Sequence, residues 1–301
     1  MDTVHSAYYF WMLGSALITA GVQFLLAKGM KKRGLLCGLT LVLGTVIGVI
    51  CARLFSAAAQ FEYTLADGVM ETLLSDDVGQ LSYYGGLTGV CFGVAQAARL
   101  TGNRPMAALN AYAPAGALMA ALARFGEVFL GMRCAGNLVM TEKLCFFPVA
   151  IRNEWDEWYV AVFMLAGLAY LIVFAFSLLK YREKRFVRTL FYLCLPQILL
   201  ESLRNQSIIW HEFVRMEQLA CMVAMEVILV LYGVWAKGQR KRFLPAVAGL
   251  ACAGVFVAVE FALDKTDLPH LVTYAVMALG LVCLGWMECL GFGNVKKAGR
   301  A

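Results

Sequence analysis

The chain has 301 residues, 61% of them hydrophobic and 15% charged, with a formal net charge of +6. That balance lies far from the soluble average and excludes an ordinary water-soluble domain. The basic residues gather in short clusters between apolar runs, which is the chemistry of a cytoplasmic leaflet, so no nucleic-acid partner is expected.

The first predicted element is the uncharged run 7–27. About 20 residues at 1.5 Å each cross roughly 30 Å of hydrocarbon. Asp2 precedes the run without any Lys or Arg, and Lys28, Lys31, Lys32 and Arg33 follow it. This pattern reads as a retained helix with its amino terminus outside, not as a secretory signal. Further spans are predicted near 35–60, 84–99, 106–131, 158–179, 188–203, 217–236, 243–263 and 269–291.

The loops between them alternate in charge. Arg99 and Arg104 follow the third span, and Lys180, Arg182, Lys184, Arg185 and Arg188 follow the fifth. Lys237, Arg240, Lys241 and Arg242 follow the seventh, and Lys296, Lys297 and Arg300 come last. The loop 61–83 holds Glu62, Asp67, Glu71, Asp76 and Asp77 and no basic residue. The expected fold is an all-α polytopic transmembrane helical bundle of about nine spans, amino terminus outside and carboxyl terminus inside.

Most of the ten cysteines, among them Cys51, Cys91, Cys221, Cys252 and Cys283, stand singly in apolar spans as small hydrophobes. Cys134 and Cys145 share one predicted exterior loop, where a disulfide is open to them, and the spacing gives no metal pattern. The long connection 132–157, with Gly136, Asn137, Pro148 and the run "NEWDEWY", has two readings. With loop 61–83 it forms a lid over the bundle, or it is a solvated loop anchored by Trp155, Trp158 and Tyr159.

Three arginines break the charge rule. Arg53, Arg124 and Arg204 each lie about 16–18 residues into a helix that rises from the inside, roughly 24–27 Å above the inner boundary. An arginine so deep costs about 3 kcal/mol on the lenient insertion scale. Each is read either as snorkelling to lipid phosphate or, taken together, as part of a shared site for an anionic headgroup. Glu127 stands three residues after Arg124 and Glu201 three before Arg204, the spacing of helical ion pairs. Glu226 falls near the middle of the seventh span and leaves a proton-coupled transport role open. Gly85, Gly89 and Gly93 recur every four residues, as do Gly44, Gly48 and Ala52, and both rows predict close helix packing.

Several stretches, in order, resemble the prolipoprotein diacylglyceryl transferase family. "LSYYGGLTGV" (81–90) is similar to its Ser-Phe-His-Gly-Gly-Leu-x-Gly segment, and "ICARLFSAAAQF" (50–61) to its Gly-Ala-Arg-Leu-Gly-Tyr-x-x-Phe stretch at Arg53. "ALARFGEVFLG" (121–131) resembles the signature Gly-Arg-x-Gly-Asn-Phe-x-Asn-Gly at Arg124, Gly126 and Gly131. "QILLESLRNQ" (197–206) resembles Arg-x-x-x-Glu-x-x-Arg at Glu201 and Arg204, and Pro114 matches an internal helix proline. The likeness covers residues 8–236 and implies a seven-span transferase-like core, 1–236, with residues 237–301 adding two helices and a tail. Tyr84 stands where the family has His, Glu127 where it has Asn, Met132 where it has Glu, and Gln197 where it has Arg.

The resemblance implies transfer of a diacylglyceryl group from phosphatidylglycerol to the lipobox cysteine of a signal-peptide-bearing prolipoprotein, in a bacterial cell membrane. It implies no cofactor or metal. Tyr84, Glu201 and Glu127 are the catalytic candidates, and Arg53, Arg124, Arg204, Gly85 and Gly86 the headgroup-binding ones. A non-catalytic relative that binds anionic lipid or a lipoprotein precursor is the alternative, and a small-molecule or proton-coupled transporter the next.

Overall fold

In hydrocarbon every backbone N–H and C=O must find its partner within the protein, which leaves helices as the spanning element of a chain this apolar. The computed structural model describes all residues except 1–2, 62–63, 66–67, 75–80, 182, 205–209, 212–213, 267–269 and 300–301. Glu62, Asp67, Asp76, Asp77, Arg182 and Arg300 therefore lie outside the described residues. Helices α1 (Thr3–Leu26), α2 (Arg33–Ala59), α3 (Val69–Leu74), α4 (Tyr83–Leu100) and α5 (Pro105–Gly126) come first. A hairpin of β1 (Ala150–Arg152) and β2 (Trp158–Val160) leads to α6 (Val162–Leu179) and α7 (Arg185–Ser202). A two-residue pair, β3 (Trp210–His211) and β4 (Val214–Arg215), precedes α8 (Met216–Trp235), α9 (Leu244–Lys265) and α10 (His270–Ala298).

Long helices thus occupy each of the nine expected places among the described residues. Seven are long and apolar enough to cross a membrane: Ser6–Leu26, Arg33–Ala59, Pro105–Met132, Val162–Leu179, Met216–Trp235, Leu244–Lys265 and Val272–Ala298. The protein is an all-α polytopic membrane protein. Helices α4 and α7, 18 residues each, are more polar than these seven.

The chain divides into two compact units. Residues 1–190 and 203–209 form the first, and 191–202 and 210–301 the second, so α7 passes from one to the other.

In the first unit α2 and α4 meet along their small residues. A Cβ on Gly89 would lie 2.8 Å from the Gly48 Cα, and one on Gly93 2.6 Å from the Gly44 Cα. The predicted seam is therefore a contact in which backbones touch. Ser82 closes the amino end of α4, its hydroxyl accepting from the Gly85 N–H at 3.3 Å while its own N–H donates to the Ala52 carbonyl at 3.2 Å. At the other end Ala27, Leu36, Val94, Ala97, Ala98, Ala108 and Tyr112 form a buried cluster.

Two boundaries differ from the sequence reading. The helix expected from 158 begins at Val162, because Trp158–Val160 pairs antiparallel with Ala150–Arg152. Three β-forming residues after a turn with Asp156 at φ 65° take the strand instead. The α5 helix gives way after Gly126 to a 3-10 segment, Glu127–Cys134, interrupted at Gly131 with φ 67°.

In the second unit Ile198 near the end of α7, Met225 and Leu229 on α8, Phe256 on α9 and Met277 on α10 are all buried. Glu288 on α10 is fully buried and accepts from the Tyr192 hydroxyl at 3.0 Å and the Tyr232 hydroxyl at 3.1 Å. Glu226 is half-buried on α8, its carboxylate against Gly249 of α9.

Candidate active site

Arg124 lies in the last turn of α5, where the helix dipole favours a cation, and is 2% exposed. Glu127, the first residue past that helix, turns back to it: its Oε1 pairs with Arg124 Nη1. Its Oε2 pairs with Arg204 Nη2 at 2.6 Å, and Arg204 is 4% exposed. One carboxylate thus joins two buried guanidiniums. Charge-assisted pairs in such a water-poor setting are strong and fix direction as well as distance.

The surroundings hold the arginines in place. The Tyr83 ring lies under Arg124, with the guanidinium carbon 4.3 Å from the ring centroid. Tyr83 in turn stacks on Tyr170 at 6.3 Å and meets Tyr84 edge-on at 5.2 Å. Trp11 donates to the Leu122 carbonyl at 2.7 Å and covers Gly126, where a Cβ would lie 3.0 Å from the indole nitrogen. Arg204 comes from extended backbone: it forms a bridge with Gly136, and the Asn137 N–H donates to the Leu203 carbonyl at 2.9 Å. A side chain at position 136 would strike that carbonyl and Val160.

Three of the expected site residues, Arg124, Glu127 and Arg204, are therefore brought together. Tyr84 is buried one ring away from Arg124. Arg53 is half-buried on α2 beside Ala52, at the level where Ser82 and Gly85 cross that helix. Gly85 is a packing residue, since a Cβ there would lie 2.6 Å from the Cys51 carbonyl. Gly86 is looser, with 3.7 Å to the Ala52 Cβ. Glu201 belongs to the second unit, is 1% exposed, and accepts from Gln197 Nε2 at 2.9 Å. Helix α7 stops at Ser202, so Arg204 does not share a helical face with Glu201 as its spacing suggested.

Cys134 is buried at the end of the 3-10 segment. Burial, with the Glu127 carboxylate adding to it, pushes its thiol up to about 12. It and Cys145 are both free thiols. Sequence reasoning missed Trp11, Tyr83 as the floor under Arg124, and Gly136 as the partner of Arg204. Adjacency to Tyr84 was the only signal for Tyr83.

A buried pair of guanidiniums suits an anionic phosphate ester and the charge that develops when it departs. The family model described as prolipoprotein diacylglyceryl transferase matches residues 6–235, well over half of the chain. No curated protein matches it. The matched stretch contains Arg53, Tyr84, Arg124, Glu127, Glu201 and Arg204, and its length settles the kinship: the chain belongs to the prolipoprotein diacylglyceryl transferase family, membrane transferases of lipoprotein biosynthesis.

Proposed function

We propose that the protein moves a diacylglyceryl group from phosphatidylglycerol to the thiol of a lipobox cysteine at the outer leaflet of a bacterial cell membrane. The observation that carries this reading is the Arg124–Glu127–Arg204 cluster, with two guanidiniums buried around one carboxylate. In this reading the amino terminus lies outside and the carboxyl terminus inside, with about nine crossings, so that the Arg124 end of α5 meets the outer headgroups.

The thiol gives its proton to a base, because the thiolate is the nucleophile. The sulfur attacks the glyceryl carbon that carries the phosphate ester. A C–S bond forms, the C–O bond breaks, and its electron pair leaves on the oxygen of glycerol phosphate. Arg124 and Arg204 hold that phosphate and offset its growing charge. Arg53 adds a third cation at the level of the α2–α4 crossing, and Gly86 leaves room for the headgroup there. Glu127 is engaged by two cations and serves to aim them, which leaves Tyr84 and Glu201 as the candidates to take the proton. A phenol with a pKa near ~10 fills that role only with a cation beside it.

The test is purified protein in phosphatidylglycerol vesicles with a lipobox peptide, read as thioether-linked product and released glycerol phosphate. Vesicles of phosphatidylethanolamine as sole lipid are expected to support far less transfer. Absence of product at high enzyme concentration, beside a working relative, refutes the reading. A second reading, retention of anionic lipid without transfer, draws on Tyr84 in place of the family's histidine. It predicts lipid that copurifies through Arg124 and Arg204 with no turnover.

A further inference from the structure

Helices α9 and α10 lie beyond residue 235, where the family match ends. Both nevertheless carry a buried acid into the second unit, Glu260 on α9 and Glu288 on α10. Glu260 on α9 is 7% exposed. Its Oε1 accepts from the Ser202 hydroxyl and from Gln218 Nε2, the latter at 2.8 Å. Its Oε2 lies 3.9 Å from Arg215 Nε.

The same partners reach the last turn of α7. The final carbonyls of a helix have no intrahelical donor and must be met from elsewhere. Gln218 Nε2 lies 2.8 Å from the Ile198 carbonyl and 2.7 Å from Ser202 Oγ, so its two hydrogens are shared among these and Glu260 Oε1. Arg215 Nη1 donates to the Glu201 carbonyl, and the Tyr274 hydroxyl of α10 donates to the Ser202 carbonyl at 3.4 Å. Three separate side chains thus reach carbonyls at this end of α7, Gln218 that of Ile198, Arg215 that of Glu201 and Tyr274 that of Ser202. Glu260 binds two of those three and supplies a carboxylate for buried Arg215. Through a single oxygen Glu260 ties Ser202 to Gln218, so the node depends on this acid. Glu201 sits in the turn that is held, and Arg204 follows Ser202 by two residues.

We propose that Glu260 is a positioning residue for the transfer reaction. It fixes the carboxyl end of α7, and with it Glu201, without touching substrate. This rests on the transferase reading of Glu201 and Arg204.

The experiment compares full-length wild type, Glu260→Gln, Glu260→Ala and a Glu226→Gln control in phosphatidylglycerol vesicles. Steady-state transfer kinetics and amide hydrogen exchange over residues 198–204 are both measured. Glu260→Gln keeps an oxygen for Ser202 and Gln218 but loses the charge opposite Arg215. Glu260→Ala is expected to lower kcat about tenfold or more with KM for phosphatidylglycerol within about twofold. It is also expected to speed exchange at 198–204 by about tenfold, while Glu260→Gln recovers most of that protection and part of kcat. Glu226→Gln is expected to change neither.

A folded Glu260→Ala protein with wild-type kcat overturns the proposal, as does one with wild-type protection of that turn. So does a rise in KM at constant kcat, or faster exchange spread evenly over α8, α9 and α10. Should Glu260→Ala not accumulate, Glu260→Gln decides: turnover equal to wild type overturns the proposal. If wild type transfers nothing, the transferase reading falls, and the exchange measurement still decides whether Glu260 holds the turn.

Discussion

Glu127 pairs with two arginines at once, and this sharing predicts how variants will divide. Glu127→Ala takes the shared carboxylate from two buried cations at once, and removing one member of a buried pair costs about 3–5 kcal/mol. Arg124→Ala or Arg204→Ala leaves Glu127 its other partner. Glu127→Ala is therefore expected to melt lowest of the three in detergent. The arginine variants are expected to stay folded and lose transfer by about 100-fold or more, as measured by thioether formation. If both keep wild-type turnover, the phosphate clamp is wrong. Tyr84→His, which restores the family's residue, is expected to be tolerated in the same assay. Cys134 titrates in the other direction from an activated thiol: its folded pKa of about 12 lies above the ordinary 9.0. Its neutral form is favoured by the fold, so its contribution to stability is complete below pH 9 and is lost as pH climbs towards 12. Maleimide at pH near ~8 is expected to label Cys145 and spare Cys134 until the protein is denatured.

At the scale of elements, the α2–α4 seam was legible because spacing by four is a statement about one helix face. Its test is a contrast. Gly89→Leu and Gly93→Val place carbon against backbone 2.5–2.8 Å away and are expected to prevent accumulation of folded protein. Gly86→Ala meets only ordinary contact and is expected to fold normally, so lost transfer in that variant would report headgroup approach, not packing. Hairpin β1–β2 was not legible. The aromatic residues 158–159 precede an apolar run, and apolarity alone does not distinguish strand from helix over three residues. The end of α5, and the break between Glu201 and Arg204, were missed for a related reason. Periodicity continues past Gly126 and Ser202, and what stops each helix is a distant partner: Glu127 bound to Arg204, and Gly136 paired with Arg204.

For the molecule as a whole, hydropathy gave the class and the nine helical positions, since the cost of burying charge acts on every residue of a span. It said nothing of which distant helices share polar atoms. Ser202 with Glu260, and Tyr192 and Tyr232 with Glu288, are separated by 56–96 positions in the chain and leave no local mark. The sequence treats 237–301 as an addition to a complete core. The second unit contains those helices as part of its packing. Truncation after residue 236 removes both glutamates at once, leaving Tyr192, Ser202, Gln218 and Tyr232 without these partners. The truncated chain is expected to accumulate at a small fraction of the full-length level, read by fluorescence-detected size exclusion.

The bridge between Gly136 and Arg204 gives the clamp a parity. Along extended backbone successive side chains point to opposite sides, so the direction of Arg204 is decided by whether an odd or even number of residues separates it from its pairing partner. One residue inserted between Ser202 and Arg204 would turn the guanidinium away from Glu127, whereas two would return it to the same side. In the other two arms of this cluster, Arg124 and Glu127 share a continuous turn and have no such freedom. The clamp is thus assembled from one member set by helical phase and another set by counting, and an evolutionary change of loop length here is expected to come in pairs.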